Sequence, residues 1–120
     1  MESKKICVVK KKYLIALNIQ NCKCRNVYLS LGAEFHILKR HPYDYENYFD
    51  KIAEIITEPD YIGKNPDTPN SIETVKIFDD VVLVSITINK GGFLYISSMY
   101  SIGVHQLNSR IRNGRLIPAP

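Results

Sequence analysis

The segment His36-Ile37-Leu38-Lys39-Arg40-His41-Pro42 gathers the groups best suited to acid–base work on a phosphodiester. Two of the chain's three histidines and two fixed cations fall within it. Imidazole exchanges protons near neutral pH, and Lys and Arg suit the binding of phosphate. Cleavage of RNA by its own 2′-hydroxyl needs a base for the 2′ proton and donors for the crowded phosphate. It also needs an acid for the leaving 5′ oxygen. His36 is expected as base or acid, with Lys39 or Arg40 holding the phosphate. Ser98 and Tyr100, two apart in Ser97-Ser98-Met99-Tyr100, would add hydroxyls from one face of a strand. Arg110, Arg112 and Arg115 would position RNA backbone.

On a helix His36 and Arg40 share a face. His41 lies about 140° from His36 by the helical period. The two imidazoles therefore converge only if the helix breaks near Pro42. One histidine with adjacent cations is the expected catalytic unit. A histidine in a last helical turn, as at His41, is also favoured by the helix dipole alone. His36, among Phe35, Ile37 and Leu38, sits where a structural histidine would sit.

Other chemistries find little support. There is no Gly-rich phosphate loop followed by Lys-Ser or Lys-Thr, no G-x-S-x-G elbow, and His105 stands alone. Cys22 and Cys24 form C-x-C without a second Cys or His pair at zinc spacing. Asp79-Asp80 falls where a turn is expected. Neither a metal nor a cofactor is expected. The remaining cysteine, Cys7, completes no disulfide framework, which fits a reducing compartment.

Several elements must hold these residues. Ile6–Val9 and Tyr13–Ile19 read as a hairpin with Lys10–Lys12 as its turn, and Val27–Ser30 as a further strand. Ala33–His41 reads as a short helix ended by Pro42. Tyr45, Tyr48, Phe49, Ile52, Ile55 and Ile56 recur at helical spacing, with Asp44 as N-cap and Pro59 as terminator. Residues 60–70, holding Gly63, Pro66 and Pro69, read as a loop. A meander follows: Ile72–Ile77, Val81–Ile88 and Phe93–Tyr100, joined through Asp79-Asp80 and through Asn89-Lys90-Gly91-Gly92. Val104–Asn113 is a last short helix with Gly114 as its C-cap. Helices followed by an antiparallel sheet make an α+β fold.

At 120 residues the chain is one domain, and its 45% hydrophobic and 23% charged content is ordinary for a globular protein. No apolar run approaches the roughly 20 residues of a membrane span, and the cytoplasm is the default compartment. The net charge of +4 is uneven: Lys4, Lys5, Lys10, Lys11, Lys12, Lys23 and Arg25 load the start, while acids gather between Asp44 and Asp60. Such asymmetry fits a polyanion-facing side.

The ordered segments Val27–Ser30, His36–Pro42, Pro59–Gly63, Pro69–Glu73, Leu83–Ile86 and Tyr95–Tyr100 resemble a known group. It is the phage-associated branch of the barnase–EndoU–colicin–RelE-like nuclease superfamily, abbreviated PBECR. The resemblance covers residues 27–117, with 1–26 as a basic extension. It implies N-terminal helices packed on a four-stranded or larger antiparallel sheet, with RNA across the exposed sheet face. It implies metal-independent endoribonuclease chemistry leaving a 2′,3′-cyclic phosphate. By position, His36, Lys39, Arg40 and His41 match the family's helix motif, Ser98 and Tyr100 its late strand, and Arg115 its basic end.

The resulting expectation is a toxin-like RNase acting on RNA, tRNA included, with an immunity or antitoxin protein as partner. The alternative is an inactive RNA- or protein-binding module of mobile-element origin. A DNA-cleaving or glycosylase-like enzyme on the same scaffold ranks third.

Overall fold

The computed structural model describes residues 3–120. Along the chain run β1 (Ser3–Val8), α1 (Lys11–Ala16), β2 (Asn26–Ser30), α2 (Leu31–Arg40) and α3 (Pro42–Tyr48). After a single 3-10 turn (Phe49–Lys51) come α4 (Ile52–Thr57), β3 (Tyr61–Gly63), β4 (Ser71–Ile77) and β5 (Val81–Ile88). The chain closes with β6 (Leu94–Ile102), α5 (Val104–Arg112) and β7 (Leu116–Pro118). The strands form one seven-stranded sheet in the order β1-β2-β6-β5-β4-β3-β7. All neighbours are antiparallel except β2 and β6, which run parallel over Val27–Tyr28 and Leu94–Tyr95. This is the expected α+β class, with a larger sheet.

Alternation in β5 explains its two-sided burial. Val82, Val84, Ile86 and Ile88 join Leu94, Ile96 and Met99 of β6 under Leu14, Ile37, Tyr48, Ile52, Ile55 and Ile56 of the helices. Val81 and Leu83 face the other way, with Val75, Ile102, Leu107 of α5 and Leu116. Each such side chain contributes about 1.5–3 kcal/mol when fully buried. The second cluster occupies only part of its face. Beyond it Tyr28, Ser85, Thr87, Tyr95, Ser97 and Ser98 are partly or fully exposed. That leaves an open sheet face edged with hydroxyls.

Three expectations need correcting. Tyr13–Ile19 is not a strand: Lys10 caps α1, which buries Tyr13 and Leu14. A short apolar run does not fix its own period, and burial decides. Asn18 at φ 55° ends that segment, and β1 pairs with β2 instead. Asp44 is not a helix cap. His41 holds that place, Pro42 is the first helical residue, and the 3-10 turn divides the expected helix into α3 and α4. The 60–70 segment is not all loop, because Tyr61–Gly63 pairs with both β4 and β7.

Candidate active site

Proline decides the first geometry. Pro42 takes the residue before it out of helical space, and His41 adopts φ −134°, ψ 60° between α2 and α3. The break brings the His41 ring to 6.4 Å from His36, at 73° between planes, measured between centroids. On its other side it lies 5.4 Å from the Tyr100 ring, at 30°. The break at Pro42 thus brings the two imidazoles and Tyr100 into one corner. Lys39 and Arg40 sit exposed in the last turn of α2 beside it and form none of the ion pairs among the described residues.

Asp44 locks this corner onto the sheet. It is buried, and its carboxylate accepts from the Ser101 backbone N–H at 2.9 Å and from the Ser101 hydroxyl. β2 pairs with only the start of β6 before the chain turns into α2, so the Asp44 side chain completes the bonding of a bare edge. Its role was missed because Asp beside a helix start reads as a cap.

A bulge aims the hydroxyls. Ser85 pairs with Ser98 but Ile86 pairs with Ile96, so Ser97 is an extra residue in β6. Strict alternation would have put Ile96, Ser98 and Tyr100 on one face. Instead Ile96 and Met99 both stay in the core, while Ser98 and Tyr100 reach the opposite face. Ser97 hydrogen-bonds Thr87 there. The Ser98 Oγ is buried and without a hydrogen-bond partner among the described residues.

Glu73 lies in the same cross-strand row, paired with Ser85, which pairs with Ser98. It is 1% exposed and receives Arg115 through Nε and Nη2, each at 2.8 Å. Those hydrogen bonds raise the guanidinium above its ordinary pKa against the cost of burial, and Tyr100 adds a smaller attraction. Arg115 is placed by Gly63: a Cβ there would stand 1.9 Å from the Arg115 carbonyl oxygen. Glu73 was not among the residues singled out from sequence. Its signal is a carboxylate between Ile72 and Thr74, inside a run that reads as a strand.

The other arginines divide. Arg110 and Arg115 line one groove with His105, Gln106, Ser109 and Asn113, and Arg110 Nη1 is buried without a partner among the described residues. Arg112, two residues on, is exposed and outside that groove. Among the described residues no group of three or more His, Cys, Asp and Glu side chains could hold a metal. The cysteines are all free, and burial pushes the Cys7 thiol up to about 11, which keeps it unreactive.

The fold is thus a small α+β protein whose mostly antiparallel sheet carries imidazoles, a phenol and a carboxylate-held guanidinium. The chain belongs to the phage-Barnase-EndoU-ColicinE5/D-RelE like nuclease3 family, whose model matches residues 4–109. The match takes in most of the lysine-rich start and ends before Arg110, Arg112 and Arg115. No curated protein and no solved structure matches the chain. A nuclease family implies a nucleic acid as substrate, and no helix is long and apolar enough to cross a membrane.

Proposed function

We propose that the protein is a metal-independent endoribonuclease that cleaves by 2′-hydroxyl attack and leaves a 2′,3′-cyclic phosphate. The observation that carries this reading is the convergence of His36, His41 and Tyr100 beside an open sheet face. One imidazole takes the 2′ proton, and its protonated neighbour gives one to the leaving 5′ oxygen. Tyr100 and the Arg115 Nη1, left over from its two bonds to Glu73, donate to the phosphate oxygens as charge builds. Lys39, Arg40 and Arg110 hold flanking phosphates. Tyr28 and Tyr95, 5.7 Å apart between ring centroids on the open face, supply a stacking surface for bases. Ser98 lines the floor.

Such an enzyme acts as a toxin in the cytoplasm, needs no cofactor, and requires an immunity or antitoxin protein to restrain it. The test is incubation of the purified protein with total RNA and labelled tRNA in EDTA, beside His36→Ala and His41→Ala. Cyclic-phosphate ends from the wild type, lost in both variants, are expected. Intact RNA at high protein concentration would replace this reading with that of an RNA-binding module. One observation favours that second reading: Glu73, the buried carboxylate in the row of Ser85 and Ser98, is already committed to Arg115.

A further inference from the structure

A groove of about 400 Å³ opens between the exposed side of α3 and the β4–β5 turn, lined by Tyr43, Asn47, Tyr48, Lys51, Phe78 and Asp79. It begins two residues from His41. Its walls are aromatic: Tyr43 is 60% exposed, and Phe78 stacks on Tyr48 with centroids 5.3 Å apart. The hydroxyls of Tyr43 and Tyr48 both donate to Asp80 Oδ2, each at 2.8 Å, which fixes the two rings and occupies that oxygen.

The polar groups left over have a definite pattern. Asp79 is exposed and makes no side-chain hydrogen bond or ion pair among the described residues. Asn47 spends its Nδ2 on the Tyr43 carbonyl at 2.8 Å, so its Oδ1 remains an acceptor. Lys51 is a donor without an ion pair among the described residues. Flat apolar walls therefore carry two acceptors and one cationic donor. A phosphate would meet Asp79 and be repelled; a base would not.

Among the RNA bases, only guanine presents two adjacent N–H donors, N1–H and N2–H, next to an acceptor, O6. Adenine and cytosine offer one exocyclic amine beside acceptors, and uracil one N–H between two carbonyls. We propose that this groove is a subsite for an unpaired guanine, stacked on Tyr43 and Phe78 and read by Asp79, Asn47 and Lys51. Single-stranded RNA is read in this way, by aromatic stacking plus hydrogen bonds to a base edge. The inference rests on the ribonuclease reading for the identity of the polymer, and its position beside His41 would set which residue flanks the cut.

The test reads binding rather than cleavage. GMP, AMP, CMP and UMP are titrated separately into the full chain, and backbone and aromatic NMR signals are followed. GMP should bind about tenfold or more tightly than the others, the margin one well-made pair of base contacts supplies. Its shifts should cluster at Tyr43, Asn47 and Phe78. Asp79→Asn should erase the margin with an unchanged melting temperature, and Tyr43→Ala should weaken all binding there. Equal affinities for the four nucleotides, shifts confined to other surfaces, or an unaffected Asp79→Asn would each overturn the subsite. Failure to cut RNA would leave this result standing, and cutting without GMP discrimination would overturn the subsite alone.

Discussion

A histidine ring between a second imidazole and a phenol has a narrow set of uses, and substitution separates them. His36→Ala and His41→Ala should each lower the cleavage rate by about 10²–10⁴, the usual worth of a positioned acid or base. His36 is exposed and His41 half-exposed, so both variants should melt near the wild type. Initial rates on labelled RNA, read beside thermal melts, check this. Glu73 behaves differently. Glu73→Gln leaves the buried side of Arg115 without its counter-charge and should cost about 3 kcal/mol, measured by urea unfolding. It should also slow cleavage, because Arg115 loses its fixed orientation. The residue types in this corner were plain from sequence. Their convergence was not, because it turns on two dihedral angles at His41. Nor was the Glu73–Arg115 pair, which joins residues from the middle and the end of the chain.

Elements position what residues perform, and here the short ones matter most. β3 is only Tyr61–Gly63, yet it joins β4 to β7 and so sets Arg115. Gly63→Ala would push its Cβ into the Arg115 carbonyl, and the strand must shift to relieve it. A loss of about 1–3 kcal/mol is expected, as for overpacking in a core. Activity should fall beyond what the folded fraction explains, and circular dichroism with rate measurement on one sample decides. Periodicity made the β4–β5–β6 meander and α5 legible in the sequence, because each is long enough to show its period. α1 and β3 were not: each is too short to declare a period, and each owes its form to the surface it packs on. The split between α3 and α4 was invisible for a related reason. One 3-10 turn hardly disturbs the spacing of Tyr48, Ile52, Ile55 and Ile56, all of which remain buried.

For the molecule as a whole, titration sets an alkaline limit. Burial raises Tyr48 to about 12, with Asp80 adding to it, and burial raises Cys7 to about 11. Both folded values lie above the unfolded ones of 10.0 and 9.0. The stability each neutral group contributes is therefore complete below pH 9 and is lost as pH rises toward 11 and 12. Melting temperatures should hold flat from pH 7 to 8.5 and fall progressively above, and Cys7→Ser should remove the earlier part of the fall. The net charge of +4 and the cations around the corner predict RNA affinity that drops linearly with log salt. Filter binding across a salt series, with Lys39→Ala and Arg40→Ala, should show a shallower slope in each variant.

The extra residue in β6 has a reach beyond aiming two hydroxyls. A pleated ribbon is read in one of two phases, and Ser97 is the place where the phase changes. Before it the even positions, Leu94 and Ile96, face the helices; after it the odd position Met99 does. Tolerance to polar substitution along the strand should therefore flip parity at Ser97. Deleting that one residue would remove the bulge yet keep both faces, because Ser98 would then follow Ile96 directly and still point away from the helices, with Met99 still among them. A lineage that moved this phase change by a step could swap which side chains meet the substrate while keeping its hydrophobic inventory intact.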